Sequence, residues 1–171
     1  MKGQFVQTTS TLTANRCLQC SQNSSPPSWS PQTHGEQSIV RDVCPQCSAT
    51  IDCSPCVCGD HDGGDEFCEH CKHRFAVSVD VVCTNCPFTT RSPYPTHALG
   101  NVNLMAFMTA HGIDPFASDA FHLRSCTEEL LSTDPLRARY TFTTDGDALT
   151  LTVDEDLDVM EVMKDQSDES S

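Results

Sequence analysis

The sequence predicts a small α+β protein: a ribbon of short β-strands carrying Cys-x-x-Cys turns, then a short helix and an antiparallel β-hairpin or three-stranded sheet. Three observations predict it. Ten of the 12 cysteines fall into five Cys-x-x-Cys pairs: Cys17/Cys20, Cys44/Cys47, Cys53/Cys56, Cys68/Cys71 and Cys83/Cys86. The stretch NVNLMAFMTAHG, 101–112, carries helix punctuation, with an Asn to open it and a Gly beyond its end. LRARYTFTTDGDALTLTV, 136–153, alternates apolar and polar residues on either side of an Asp-Gly turn.

Taken in chain order, residues 1–38 hold a short strand around Phe5 and Val6, the pair CLQC, and then SQNSSPPSWSPQTHGEQS, a linker by composition. Residues 39–91 carry four of the five pairs and read as one domain. With hydrophobic residues at 37% and aromatics at 6% of the chain, burial supplies little stability there, and a metal is expected to supply the rest.

Residues 92–164 read as a small α+β domain. Its helix has Asn101 as N-cap, Gly112 past the C-terminus, and Val102, Met105, Phe107 and Met108 as buried positions. Residues 118–131 are ambiguous, because Ser118 or Asp119 could cap a turn of helix leading into EELL. In the hairpin, Leu136, Ala138, Tyr140 and Phe142 share one face, Asp145-Gly146 turns the chain, and Leu149, Leu151 and Val153 resume the face. A third strand is expected at Leu157 to Met163, and the tail 165–171 is polar, acidic and expected to be disordered.

The cysteine spacing points to Zn²⁺, one ion or two. Zinc takes a tetrahedron of thiolate or imidazole ligands, and a Cys-x-x-Cys turn lets two sulfurs converge on one ion. Candidate ligands are Cys44, Cys47, Cys53, Cys56, Cys68, Cys71, Cys83 and Cys86. Three pairings are open. Cys44/Cys47 with Cys68/Cys71 lies within the usual ribbon spacing and is preferred. Cys68/Cys71 with Cys83/Cys86 would make a tighter hairpin. An interleaved pair of sites would put Cys44/Cys47 with Cys68/Cys71 and Cys53/Cys56 with Cys83/Cys86. Cys58, His61, His70 and His73 are available as substitutes but read as bystanders, and Cys126, in an apolar setting, reads as a buried core thiol.

Two other chemistries compete with structural zinc. A dithiol switch needs a Cys-x-x-Cys that opens a helix and so lowers a thiolate pKa. No pair here opens a periodic helix, and Cys53-Ser-Pro-Cys56-Val-Cys58, with a surplus thiol, is the best candidate for a labile redox or metal-sensing site. An enzyme is not expected, since Gly-rich phosphate loops, nucleophile elbows and His-Glu-x-x-His are all missing from the sequence. GDHDGGDE, 59–66, lacks the twelve-residue spacing of a calcium loop and reads as an acidic turn.

Composition narrows the partners. Twenty-four acidic against ten basic residues give a formal charge of −14, and the only lysines are Lys2, Lys72 and Lys164. That balance suits concentrated salt, where carboxylates hold water and screening removes most of their repulsion. It also argues against direct nucleic-acid binding, which needs cations to neutralise phosphates. Lys72, His73, Arg74 and Arg91, near the knuckles, read as solvated surface residues. MKGQFVQTTSTLTANR lacks the apolar run of a signal peptide, so a cytoplasmic, thiol-reducing setting is expected. The partner is expected to be another protein or a second copy, added along the edge of Leu136–Phe142 if that edge is exposed.

From CPQC (44–47) through FCEHCKHRF (67–75), VVCTNCPF (81–88), NVNLMAFMTAHGID (101–114), STDPLRARYTF (132–142) and DGDALTLTVDEDLDVMEV (145–162), the chain resembles the C-terminal region of haloarchaeal transcriptional regulators with an ArsR-like winged helix-turn-helix. The resemblance implies a zinc ribbon followed by a small α+β domain. The 43 residues before Cys44 are too few for a winged helix, so the DNA-reading role of those regulators is not expected to carry over.

Overall fold

A computed structural model describes residues 38–62, 67–117 and 121–165. The readings made for 1–37, Cys17/Cys20 among them, and for the tail beyond Asp165 lie outside the described residues.

The protein is a small α+β molecule with two antiparallel sheets and short helices. The first sheet orders β1 (Ile51–Val57), β2 (Val77–Cys83) and β3 (Thr89–Pro93) side by side. In β2 the alternate residues Val77, Val79 and Val81 are completely buried, as a period of two requires when one face meets a core. Pro55 has no N–H to give to a ladder and sits in β1, at the sheet's edge. The register pairs Ile51 with Cys83 at one end of β1 and Val57 with Val77 at the other. Seven residues at about 3.3 Å each separate the two ends by about 20 Å.

Three short helical segments and a 3₁₀ turn follow. They are α1 (Tyr94–His97), the turn Ala98–Gly100, α2 (Val102–Ala110) and α3 (Phe121–Arg124). The Asn101 side chain accepts from the N–H groups of Asn103 at 2.9 Å and Leu104 at 3.4 Å, which caps α2, and Gly112 beyond its end takes a φ of 68°. Phe107 and Met108 are buried as expected. Val102 and Met105 are not: Val102 is 75% exposed and Met105 half-buried, and Leu104 is fully buried instead. The helix turns its Leu104/Phe107/Met108 stripe inward, and Val102 at its first position lies off that stripe.

The second sheet orders β4 (Cys126–Thr133), β5 (Leu136–Thr144), β6 (Asp147–Val153) and β7 (Val159–Asp165). Asp145 at φ 51° and Gly146 at φ 90° make the two-residue turn that the Asp-Gly dipeptide announces. Leu136, Ala138, Tyr140, Phe142, Leu149, Leu151 and Val153 are buried on one face. Two expectations are corrected here. The ambiguous stretch resolves into the helical turn α3 followed by a strand that includes EELL, so the sheet has four strands instead of two or three. The register places Cys126 opposite Phe142, Glu128 opposite Tyr140 and Leu130 opposite Ala138, and these pairings with an apolar strand outweigh the helix preference of Glu and Leu. Consequently β5 is paired on both sides, and no edge of Leu136–Phe142 is open to a partner.

One hydrophobic cluster joins the sheets and helices, running from Cys44, Ile51 and the β2 valines through Tyr94, Leu99, Leu104 and Met108 to Tyr140, Phe142 and Leu151. Tyr94 and Tyr140 stack with ring centroids 4.6 Å apart inside it. Cys126 is fully buried, and burial pushes its thiol well above the usual range, which fits an inert core residue.

Candidate metal centres

Three of the Cys-x-x-Cys turns fold the same way. In each, the backbone N–H two residues after the first cysteine points at its sulfur: Gln46 to Cys44 at 3.4 Å, His70 to Cys68 at 3.3 Å and Asn85 to Cys83 at 3.4 Å. The first cysteine's own N–H is held five residues on, by the carbonyls of Ala49, His73 and Phe88 respectively. Two turns also close with Ser48 N–H to Cys44 O and Lys72 N–H to Cys68 O. Both Ser48 (φ 61°) and Lys72 (φ 59°) are left-handed to do so. The third turn has Pro87 at the equivalent place, where the ring fixes φ negative and removes the donor.

These knuckles assemble two groups of four ligands. Cys44, Cys47, Cys83 and Cys86 form one; Cys58, His61, Cys68 and Cys71 form the other; within each group the ligand atoms lie within 4.8 Å of one another. The first stands at the Ile51/Cys83 end of the β1–β2 pair and the second at the Val57/Val77 end. Cys44 Sγ is 3.6 Å from Cys86 Sγ, and Cys47 Sγ is 3.5 Å from Cys83 Sγ. In the second group Cys71 Sγ is 3.6 Å from His61 Nδ1. A tetrahedral zinc with sulfur at about 2.3 Å and nitrogen at about 2.05 Å has S–S edges of about 3.75 Å and S–N edges of about 3.55 Å. These three edges therefore match the length a zinc ion imposes, and the Cys44–Cys86 and Cys47–Cys83 sulfurs are far too distant for a disulfide.

The second group is also equipped around its ligands. His61 Nε2 lies 3.2 Å from the carbonyl of Arg74, an acceptor only, so the ring donates there and presents Nδ1 to the sulfurs as a lone pair. Thiol acidity follows the knuckle geometry. The Cys83 thiol is drawn down to about 6, first by the Asn85 N–H, with the Cys86 N–H and the Cys47 and Cys44 thiols acting the same way. Cys68 is lowered as well, first by the Cys71 N–H and then by that of His70. Cys71 goes the other way, up to about 12, chiefly through burial and then through the thiols of Cys68 and Cys58. In the Cys68/Cys71 and Cys83/Cys86 knuckles the first sulfur is acidified and the second is raised, which is how thiols crowded without a cation titrate; a divalent ion displaces the remaining protons.

The preferred pairing of Cys44/Cys47 with Cys68/Cys71 is corrected by this geometry, which brings Cys44/Cys47 to Cys83/Cys86. Cys53 and Cys56 join neither group. Three residues apart on β1, they face opposite sides of a strand, Cys53 exposed and Cys56 buried and disulfide-bonded, and so cannot converge on one ion. Cys58 and His61, read as bystanders, are ligand-placed: Cys58-Gly-Asp-His61 has the spacing of a knuckle with His as its second ligand, a signal that pairing cysteines alone passes over. His70 and His73 are exposed and outside both groups, with His70 Nε2 3.6 Å from Asp60 Oδ2. Of the cations read as solvated, Arg91 is ion-paired with Asp80, and Arg74 is half-buried, bonded to backbone carbonyls.

A family model described as Domain of unknown function (DUF7351) matches residues 29–159, well over half of the chain and all eight ligand-placed residues. No curated protein and no solved structure matches the chain significantly.

Proposed function

The chain belongs to the DUF7351 family, and from the two ligand groups inside the matched region we propose that it is a non-enzymatic zinc protein. Zinc is the natural ion for Cys₄ and Cys₃His sets of tetrahedral size, and four protein ligands leave no position for a reacting water. The ions hold the ends of the β1–β2 ribbon. Apparent zinc affinities of about 10–16 kcal/mol in small cysteine-rich domains are large enough to decide whether such a segment folds. The observation that carries the reading is that three separate knuckles and a Cys-x-x-His turn deliver eight ligand atoms into two groups at zinc-sized separations.

The role we assign is a transcription-associated interaction module in the cytoplasm of a halophilic archaeon, working through a protein partner or a second copy. The resemblance to haloarchaeal regulators and the charge of −14 support that setting. Among the described residues no helix is long and apolar enough to cross a membrane. The dithiol-switch alternative keeps one of its motivating residues, the disulfide-bonded Cys56, and loses the other two. Cys58 stands in the Cys₃His group, and partial desolvation of the otherwise exposed Cys53, followed by the charges of Asp42 and Asp52, raises its thiol and so suppresses its thiolate.

Elemental analysis with thiol labelling in high salt tests the proposal. The holoprotein is expected to retain about two zinc ions after dialysis, with Cys53 the fastest-labelled of the described cysteines. A metal-free protein whose knuckle cysteines cycle through disulfides would return the redox reading.

A further inference from the structure

Three residues of the stretch Arg74–Val77 tie the Cys₃His group to the four-stranded sheet. The Arg74 carbonyl takes the His61 Nε2 bond, while the Arg74 guanidinium donates to the carbonyls of Leu123 at 2.8 Å and Cys126 at 3.2 Å, where α3 ends and β4 begins. Ala76 and Val77 then give their backbone N–H groups to the carboxylate of Glu128. Glu128 also accepts from Tyr140 Oη at 2.7 Å, and Tyr140 is fully buried beneath Tyr94.

Glu128 stands on the inward face of β4, between Cys126 and Leu130, where the alternation calls for an apolar side chain. An inward carboxylate is tolerated only while its donors are present, because leaving it unpaired costs a large desolvation penalty. Two of its three described donors belong to the far end of the ribbon. Their position follows the Cys68–Cys71 knuckle, which closes through Cys68 N–H to His73 O at 3.0 Å, and follows the His61 bond to Arg74.

We infer that Arg74–Val77 and Glu128 couple metal binding at the Cys58/His61/Cys68/Cys71 group to the seating of the four-stranded sheet on the ribbon. The inference rests on the zinc reading and adds a division of labour. The Cys₄ group reinforces the ribbon, and the Cys₃His group is the regulatory one, its ion and the seated sheet stabilising each other. Glu128 is a positioning residue that touches no ligand. Such coupling is reciprocal, so weakening the sheet's attachment must weaken the ion's hold by the same factor. At the Cys₄ group, about 20 Å away along β1, backbone bonds include those from Thr84 to Thr50, from Ile51 to Asp42 and within the knuckles.

The test places Glu128→Gln in two backgrounds of the full chain, Cys83→Ser to leave the Cys₃His group and Cys68→Ser to leave the Cys₄ group. Zinc affinity is read by competition with a chromophoric chelator. Glu128→Gln is expected to weaken zinc about tenfold in the first background and less than twofold in the second. Equal losses in both, or none in either, overturn the coupling. Should Cys83→Ser fail to fold, amide exchange of Cys68→Ser against wild type decides. Protection across Cys126–Thr133 is expected to drop at least tenfold, and unchanged protection overturns the inference. A wild type that binds no zinc in the same titration removes the zinc reading itself, a result distinct from zinc bound without coupling.

Discussion

The left-handed residues that close two of the knuckles set a quantitative test of the site's construction. Ser48 and Lys72 hold φ near 60° so that their N–H groups can reach Cys44 and Cys68. For a residue with a Cβ that conformation costs about 1–2 kcal/mol, and glycine adopts it without the cost. Glycine loosens the unfolded chain by about 0.4–1 kcal/mol, so Ser48→Gly and Lys72→Gly should each stabilise the holoprotein by about 0.5–1 kcal/mol net. For a chain of this size that is a rise in Tm of about 1–4 °C per substitution, additive in the double variant because the two sites belong to different groups. Ser48→Val should lower Tm, since a β-branched side chain resists this backbone most. Pro87 supplies the internal control: its knuckle has no left-handed closure, so Pro87→Gly gains nothing in the folded state and should cost about 0.4–1 kcal/mol. The assay is thermal unfolding in molar salt with saturating zinc. Loss of stability in Ser48→Gly, or the same shift in Pro87→Gly as in Ser48→Gly, would refute the common knuckle geometry.

Two further outcomes follow from the helical region. Asn101→Ala removes the acceptor for the Asn103 and Leu104 N–H groups and should cost about 1 kcal/mol in urea unfolding, with metal content unchanged. Burial lowers His97 to about 4, against the pull of Asp42, while Nε2 sits 2.9 Å from Ser92 Oγ. Its folded pKa lies below its unfolded value of about 6.5, so the unfolded chain binds the extra proton first and stability falls as pH drops from 6.5 toward 4. The full effect approaches about 3 kcal/mol at the bottom of that window, and His97→Gln should flatten the slope between pH 7 and 5.5 relative to wild type.

Much of the fold is written in local pattern. The Asp145-Gly146 turn, the alternation of β5 and β6, and the Asn101 cap are signals spanning a few residues, and each forms where its residues stand. EELL is undecided by local pattern because its register comes from Tyr140 and Ala138 on the next strand, and because Glu128 faces inward for a reason visible only once the Ala76 and Val77 N–H groups lie beside it. The same distinction holds at the metal groups. Each knuckle is legible as a pair, but which pairs meet depends on β1 and β2 being antiparallel with Ile51 beside Cys83, which brings residues some 40 apart together. Spacing rules drawn from short ribbons favour Cys68/Cys71 as the partner of Cys44/Cys47, and the strand geometry of Cys53 and Cys56, which rules that pair out, is available from period two alone.

The most direct test of the account is the zinc content of single and double ligand variants, measured by elemental analysis of the full chain in high salt. Wild type and Cys53→Ser should each hold about two zinc ions, and Cys44→Ser, Cys83→Ser, Cys68→Ser and His61→Ala about one. The doubles decide the pairing: Cys44→Ser with Cys83→Ser should still hold about one ion, and Cys44→Ser with Cys68→Ser none. One ion kept by the second double and none by the first would contradict the two groups as assigned.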